Sequence, residues 1–156
     1  MPGLRLSRGG DVMEFEALIK NCEFKKFNQT ATEENVIDIL GAIGRVGILG
    51  ESILGYYACV YLLSLDFSNV KKSMIHKEAA TVLSTGLNFV NDSYALGFYH
   101  VQKAMELDPD NIEYKRFALQ TFAEIPDFDM DIEVRKIIAR DILQKNARDD
   151  IGLKYQ

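Results

Sequence analysis

The amino-acid sequence predicts an all-α protein of stacked antiparallel helical hairpins, an α-solenoid of about seven helices. Three observations carry this expectation. Apolar residues recur at helical spacing from Met13 onward. No strand-like alternation bounded by turn residues is found anywhere in the chain. Third, part of the chain repeats. Leu54-Gly55-Tyr56-Tyr57 aligns with Leu96-Gly97-Phe98-Tyr99, and Leu65-Asp66 and Asn69 fall on Leu107-Asp108 and Asn111, giving six identities in sixteen positions at an offset of 42 residues. Chance pairing at ordinary composition gives about one. A period of this length with helix–turn–helix content is the signature of a helical stack.

The elements follow in order. Helix one runs about 13–24, with Met13, Phe15, Leu18, Ile19 and Cys22 on one face. Thr30 and Glu33 have capping-box spacing and predict the start of helix two, which runs to about 45 on Val36, Ile37, Leu40 and Ile43. Helix three covers about 50–65 and helix four about 69–90. Asn91-Asp92-Ser93 opens helix five, which ends at Leu107. Helices six and seven occupy about 110–124 and 131–145. Ser68 and Asp108 are the expected caps of the helices that follow each repeat copy, and Pro109 suits a first helical position. A single hairpin cannot hide its apolar face, whereas three stacked hairpins can.

The run Ala95-Leu96-Gly97 to Ala104-Met105-Glu106-Leu107-Asp108-Pro109, with Gly97, Val101, Ala104, Leu107 and Pro109 at its key positions, resembles the second helix of a tetratricopeptide repeat. In that family a small residue permits close helix crossing and a Leu-x-Pro ends the hairpin. The likeness is good over about 94–111 and fair over 52–69, where Phe67 replaces the proline. The period of 42 and the lack of a large residue followed by Leu-Gly in the first helices depart from the family pattern. The resemblance implies a binding module whose first helices line a groove.

With 156 residues the chain makes one domain, set at 13–150, with a leader or mis-assigned start over 1–12 and a tail over 151–156. Met13 is a candidate translation start, because Arg8-Gly9-Gly10 can be encoded by a purine-rich stretch. Val46 to Leu65 carries one charge, but its uncharged part, from Ser52, is fourteen residues, too short to span a hydrocarbon layer needing about 20. The net charge of -5 argues against phosphate-backbone binding, so neither nucleic acid nor membrane is an expected partner. Two cysteines in helical contexts and no apolar export signal suggest a cytoplasmic location.

A search for chemistry returns little. Gly41, Gly44, Gly47 and Gly50 recur every three residues without a phosphate-loop pattern, and small residues at a helix crossing account for them. The acids of 127–133 fail as a calcium loop, since Ile132 sits where glycine is needed. His76 and His100 lack partners at metal-ligand spacing, and no cofactor or metal is expected. Two charged patches remain. Asp127, Phe128, Asp129, Asp131 and Glu133 form an acidic segment suited to a basic partner, and Lys71, Lys72, Lys115 and Arg116 begin first helices that would line a groove for an acidic peptide. The expected function is thus a non-enzymatic module that binds another protein or peptide. A specialised form is a bacterial immunity protein covering a basic toxin such as a nuclease. A different class is a small-ligand binder or enzyme with its pocket between helices three and five.

Overall fold

In the computed structural model the backbone of residues 8–156 and the side chains from Val12 onward are described. Among these residues the chain is all-α, with no strand. The helices are α1 (Arg8–Lys20), α2 (Phe24–Thr30), α3 (Val36–Gly44), α4 (Ile53–Leu63), α5 (Asn69–Thr81), α6 (Ser93–Leu107), α7 (Ile112–Phe122), α8 (Ile132–Lys145) and α9 (Asp150–Lys154). The expected leader falls partly outside the described residues, and α1 passes through Met13. Residues 150–154, where the tail was expected to begin, form α9, with Gly152 and Tyr155 buried.

Among the described residues nine α-helices replace the expected seven, because α2 and α9 span seven and five residues, too few to show a repeating apolar face. α2 is held by Phe27, fully buried, and by Phe24, which stacks on Tyr61 at 4.5 Å between centroids. The second correction concerns helix four. It stops as an α-helix at Thr81, continues as a π-helical turn over Val82–Gly86 and does not reach residue 90. A matching π-helical turn, Arg45–Leu49, follows α3, and the two turns pack on each other. Glycine makes this possible. A Cβ on Gly55 would lie 2.5 Å from the Gly47 Cα, and one on Gly86 would lie 2.8 Å from the Ile48 Cα. The small residues therefore serve a close backbone crossing that involves three segments rather than two.

The caps also differ from expectation. Asn35, not Thr30, precedes α3; Glu33 instead reaches across the chain to accept from the Ser68 backbone N–H and hydroxyl. Asn111 caps α7 by accepting from the Glu113 N–H, while Asp108 accepts from the Asn111 side chain and Pro109 lies in the turn. The three-residue shift from Asp108 to Asn111 arises because an amide side chain next to the helix makes the shorter Asx contact. Ser68 does cap α5, accepting from the Lys71 N–H at 3.4 Å.

Both repeat copies form helix, turn and helix, and four matched positions are buried in both. Gly55, Ala58, Cys59 and Leu62 are buried in α4, as are Gly97, His100, Val101 and Ala104 in α6. At the next position on the other face, Tyr57 and Tyr99 are both exposed, by 47% and 49%. The apolar interior falls into two clusters: α1 to α5 enclose one, and α6 to α9 with Ala80 enclose the other. A single core was the simpler expectation for this length. Packing between sequence neighbours splits it instead, with the α5–α6 contact, the most extensive in the protein, as the seam.

Candidate functional site

Polar side chains are drawn into this seam. His100 of α6, 4% exposed, places its Nδ1 2.8 Å from the Nδ1 of His76 on α5, and its Nε2 lies 3.2 Å from the hydroxyl of Tyr56 on α4. One neutral proton arrangement satisfies all three groups in either direction, with a single proton between the two Nδ1 atoms. Burial pushes the His100 imidazole down to about 4, helped by His76; burial and the nearby Lys103 ammonium lower His76, opposed by Glu106. One turn from His76, the buried Ser73 hydroxyl meets the Tyr114 hydroxyl at 3.1 Å and ties α5 to α7. The histidines thus bond to each other rather than to a cysteine. Cys59 is fully buried and its thiol is pushed well up by burial, which leaves it a poor nucleophile.

Between α4 and α6 opens an apolar cavity of about 430 Å³ lined by Ile53, Tyr56, Leu83, Leu96 and Tyr99. Its other walls, Val90, Asn91, Asp92, Ser93 and Ala95, are shared with a polar cleft of about 560 Å³ that also takes in Asn88, Phe89, Tyr94 and Asp127. The bend between the two is set by Asp92, whose φ of 62° ends the preceding loop and starts α6. Asp92 stands at the N-cap position, but its carboxylate makes no capping hydrogen bond. Ser93 is 3% exposed and its hydroxyl has no partner among the described residues.

The structure distributes the acidic segment among several tasks. Phe128 packs inward, 5.1 Å from Phe98 and 6.1 Å from Phe122 between ring centroids. Asp131 caps α8 by accepting from the Glu133 and Val134 N–H groups, and Glu133 lies 3.5 Å from Lys136. Glu124 pairs with Lys154 at 3.0 Å. Asp127 and Asp129 are exposed and have no ion-pair or hydrogen-bond partner among the described residues. The basic set separates similarly. Lys115 pairs with Asp141 at 3.1 Å, and Arg116 grips Asp149 and Asp150, so both bind α7 to the C-terminal helices. Lys71 and Lys72 stand in the first turn of α5, half-buried.

Among the described residues no three His, Cys, Asp or Glu side chains converge to hold a metal ion, and no helix is long and apolar enough to cross a membrane. The pocket expected as an alternative between helices three and five falls between α4 and α6, but the sequence pointed to neither its wall at Leu83 and Val90 nor the His76–His100 pair, whose members lie 24 positions apart. The signal for the cavity was present in the repeat itself, since Leu96 and Tyr99 are the counterparts of Leu54 and Tyr57. Fold and site together define an all-α helical protein with a grooved face. No protein-family model, curated protein or solved structure matches the chain.

Proposed function

We propose that the chain is a non-enzymatic module of tetratricopeptide-like stacked hairpins that binds another protein through the face formed by α4 and α6. The observation that carries this is the pair Tyr57 and Tyr99. These residues occupy the same repeat position on two helices and both stand about half exposed, while the following pairs Ala58/His100 and Cys59/Val101 are buried in both copies. Packing explains why Gly55 and Gly97 recur; it does not explain recurring tyrosines on the outer side. Tyr99 lines the apolar cavity with Ile53 and Leu96, and Tyr57 stands exposed on the same helix as Ile53; large exposed aromatics beside apolar side chains are what a protein-contact surface requires. An immunity protein for a basic toxin is the specialised form of this reading, favoured by Asp127 and Asp129, whose carboxylates are unpaired among the described residues.

The test is paired affinity capture from the cells that make the protein, using wild type and Tyr57→Ala/Tyr99→Ala as baits, followed by titration of purified partner. The expected result is a partner whose affinity falls at least tenfold in the variant while the helical circular dichroism is unchanged. Equal binding of the purified partner to both baits overturns the assignment of this face. The cavity volume lies within the range of about 300–1,000 Å³ common to small-ligand sites, which favours a small apolar ligand as the second reading. Native mass spectrometry showing a reproducible bound mass, displaced by Leu96→Lys, would establish it instead.

A further inference from the structure

We infer that the α4–α6 face accepts a segment of chain with apolar anchors followed directly by lysine or arginine, the anchors filling the apolar cavity and the cations lying in the cleft at its end. This rests on the protein-binding reading and adds the chemistry of the partner. Three observations fix it. The cavity and the cleft adjoin, sharing Val90 to Ser93 and Ala95 as lining, so a segment laid across these residues meets both. Among the described residues no lysine or arginine lines either one, and the cleft carries the carboxylates of Asp92 and Asp127. Finally, these acids are set apart from the others in their half of the chain. From Glu106 to Asp150, every acid except Asp127 and Asp129 meets a cation or a hydrogen-bond donor among the described residues.

Asp92 gives the same indication from the backbone. An aspartate at an N-cap ordinarily accepts from an amide of the first helical turn. Here the left-handed backbone leaves the carboxylate without that bond, so it is available to an incoming cation. The Asp129 carboxylate, exposed two residues beyond Asp127, extends the negative field. A segment with acidic flanks meets repulsion at the same place, so the cleft selects as well as attracts.

Two fluorescein-labelled helical peptides test this. One carries leucines along one face and lysines at both ends; the other is identical with glutamates in place of the lysines. Fluorescence anisotropy is read with wild type, Asp92→Asn/Asp127→Asn, Glu14→Gln/Glu34→Gln and Leu96→Ala/Tyr99→Ala. Asparagine keeps the left-handed backbone accessible at position 92, and Glu14 and Glu34 are exposed acids away from the cleft, so that control makes the same two-charge change. The lysine peptide is expected to bind at least tenfold more tightly than the glutamate peptide. Its affinity should fall about fivefold or more in the cleft variant, be unchanged in the control, and weaken with added salt only where the cleft acids remain. Equal loss in the cleft variant and the control overturns the assignment of Asp92 and Asp127. Equal affinity for the two peptides, abolished by Leu96→Ala/Tyr99→Ala, overturns the charge selection and leaves the docking face standing. If the folded protein saturates with neither peptide, the inference fails, and the Tyr57/Tyr99 capture experiment separately decides the reading beneath it.

Discussion

His76 and His100 share one proton across the α5–α6 seam, their Nδ1 atoms 2.8 Å apart, at the place where the two apolar clusters meet. Two protonated imidazoles cannot occupy this geometry, because both would then be donors and like charges. The groups facing the pair are Tyr56 from α4, which bonds His100, and Lys103 and Glu106 from α6, which act on His76 in opposite senses. Burial lowers both imidazoles, His100 from 6.5 to about 4, so near neutral pH the folded protein holds both in the neutral form. A depressed folded-state value means that the unfolded chain binds protons first. Stability from the pair is thus complete above pH 6.5 and is lost progressively as the pH falls toward 4. Each pH unit of displacement is worth about 1.4 kcal/mol, and access of water at the His76 end brings the expected loss by pH 5 to about 1–2 kcal/mol. Glu78 acts in the opposite sense, since burial raises its carboxyl and favours the fold as it protonates. The measurement is therefore a difference: urea unfolding of wild type and His76→Gln at pH 7.5 and 5. The variant is expected to lose less stability on acidification; identical losses would rule out the pair as the cause.

A second expectation concerns the glycine crossing. An added methyl on Gly55 meets the Gly47 Cα at 2.5 Å and the Ile43 carbonyl oxygen at 3.1 Å, and both are backbone atoms that cannot rotate away. On Gly97 the corresponding methyl meets the Phe122 ring edge at 3.2 Å, a side chain able to yield. Alanine improves helix propensity by about 0.8–1 kcal/mol at either site, while overpacking costs about 1–3 kcal/mol. Gly55→Ala should therefore destabilise by about 2 kcal/mol and Gly97→Ala by less than about 1 kcal/mol. Chemical denaturation of the two variants reads this directly, and a reversed order would mean that the α3–α4 crossing is looser than described.

The charged residues of the C-terminal half separate by role. Asp149 accepts from the Ile151 and Gly152 N–H groups and pairs with Arg116, so it caps α9 and anchors it to α7 at once. Asp149→Ala should cost about 1–2 kcal/mol through the lost cap, seen as a lower melting temperature. Asp127→Asn and Asp129→Asn, which break no contact among the described residues, should leave the melting temperature within about 1 °C while weakening capture of a basic partner. Lys115→Met is expected to follow Asp149→Ala, with an effect on stability rather than on binding, because its ammonium pairs with Asp141.

What was legible in the sequence was set by local period, and what was hidden was set by contacts across the chain. The repeat fixed α4 to α7 within two residues at most boundaries because each copy carries its own apolar spacing and its own stop. The sequence predicts helix four too long because Leu83, Leu87 and Val90 continue a helical period, and nothing local shows that Gly86 must meet Gly47 and Ile48. The acidic segment was visible as composition. Its division into a cap at Asp131, a packed ring at Phe128 and exposed carboxylates at Asp127 and Asp129 depends on where α6 and α8 sit. The same holds for His100. Its spacing gave no ligand partner, and its real partners, Tyr56 and His76, belong to two other helices.

Glu51 gives the last prediction. With a φ of 47° it occupies the left-handed region between the π-helical turn after α3 and the first turn of α4, where its N–H is bonded to the Ile48 carbonyl and the Ser52 N–H to that of Val46. A side chain with a Cβ costs about 1–2 kcal/mol in this region, less for asparagine, and a β-branched one costs more. Glycine removes the steric cost but adds about 0.4–1 kcal/mol of unfolded-state freedom to be lost on folding. The stability order expected from urea midpoints is therefore Glu51→Asn at or above Glu51→Gly, then wild type, then Glu51→Val, with the extremes about 2 kcal/mol apart. Because the glutamate is exposed and makes no side-chain hydrogen bond or ion pair among the described residues, the order tests the backbone alone. Wild type more stable than Glu51→Asn would show that the turn opening the α4 side of the groove is held by its carboxylate rather than by its backbone.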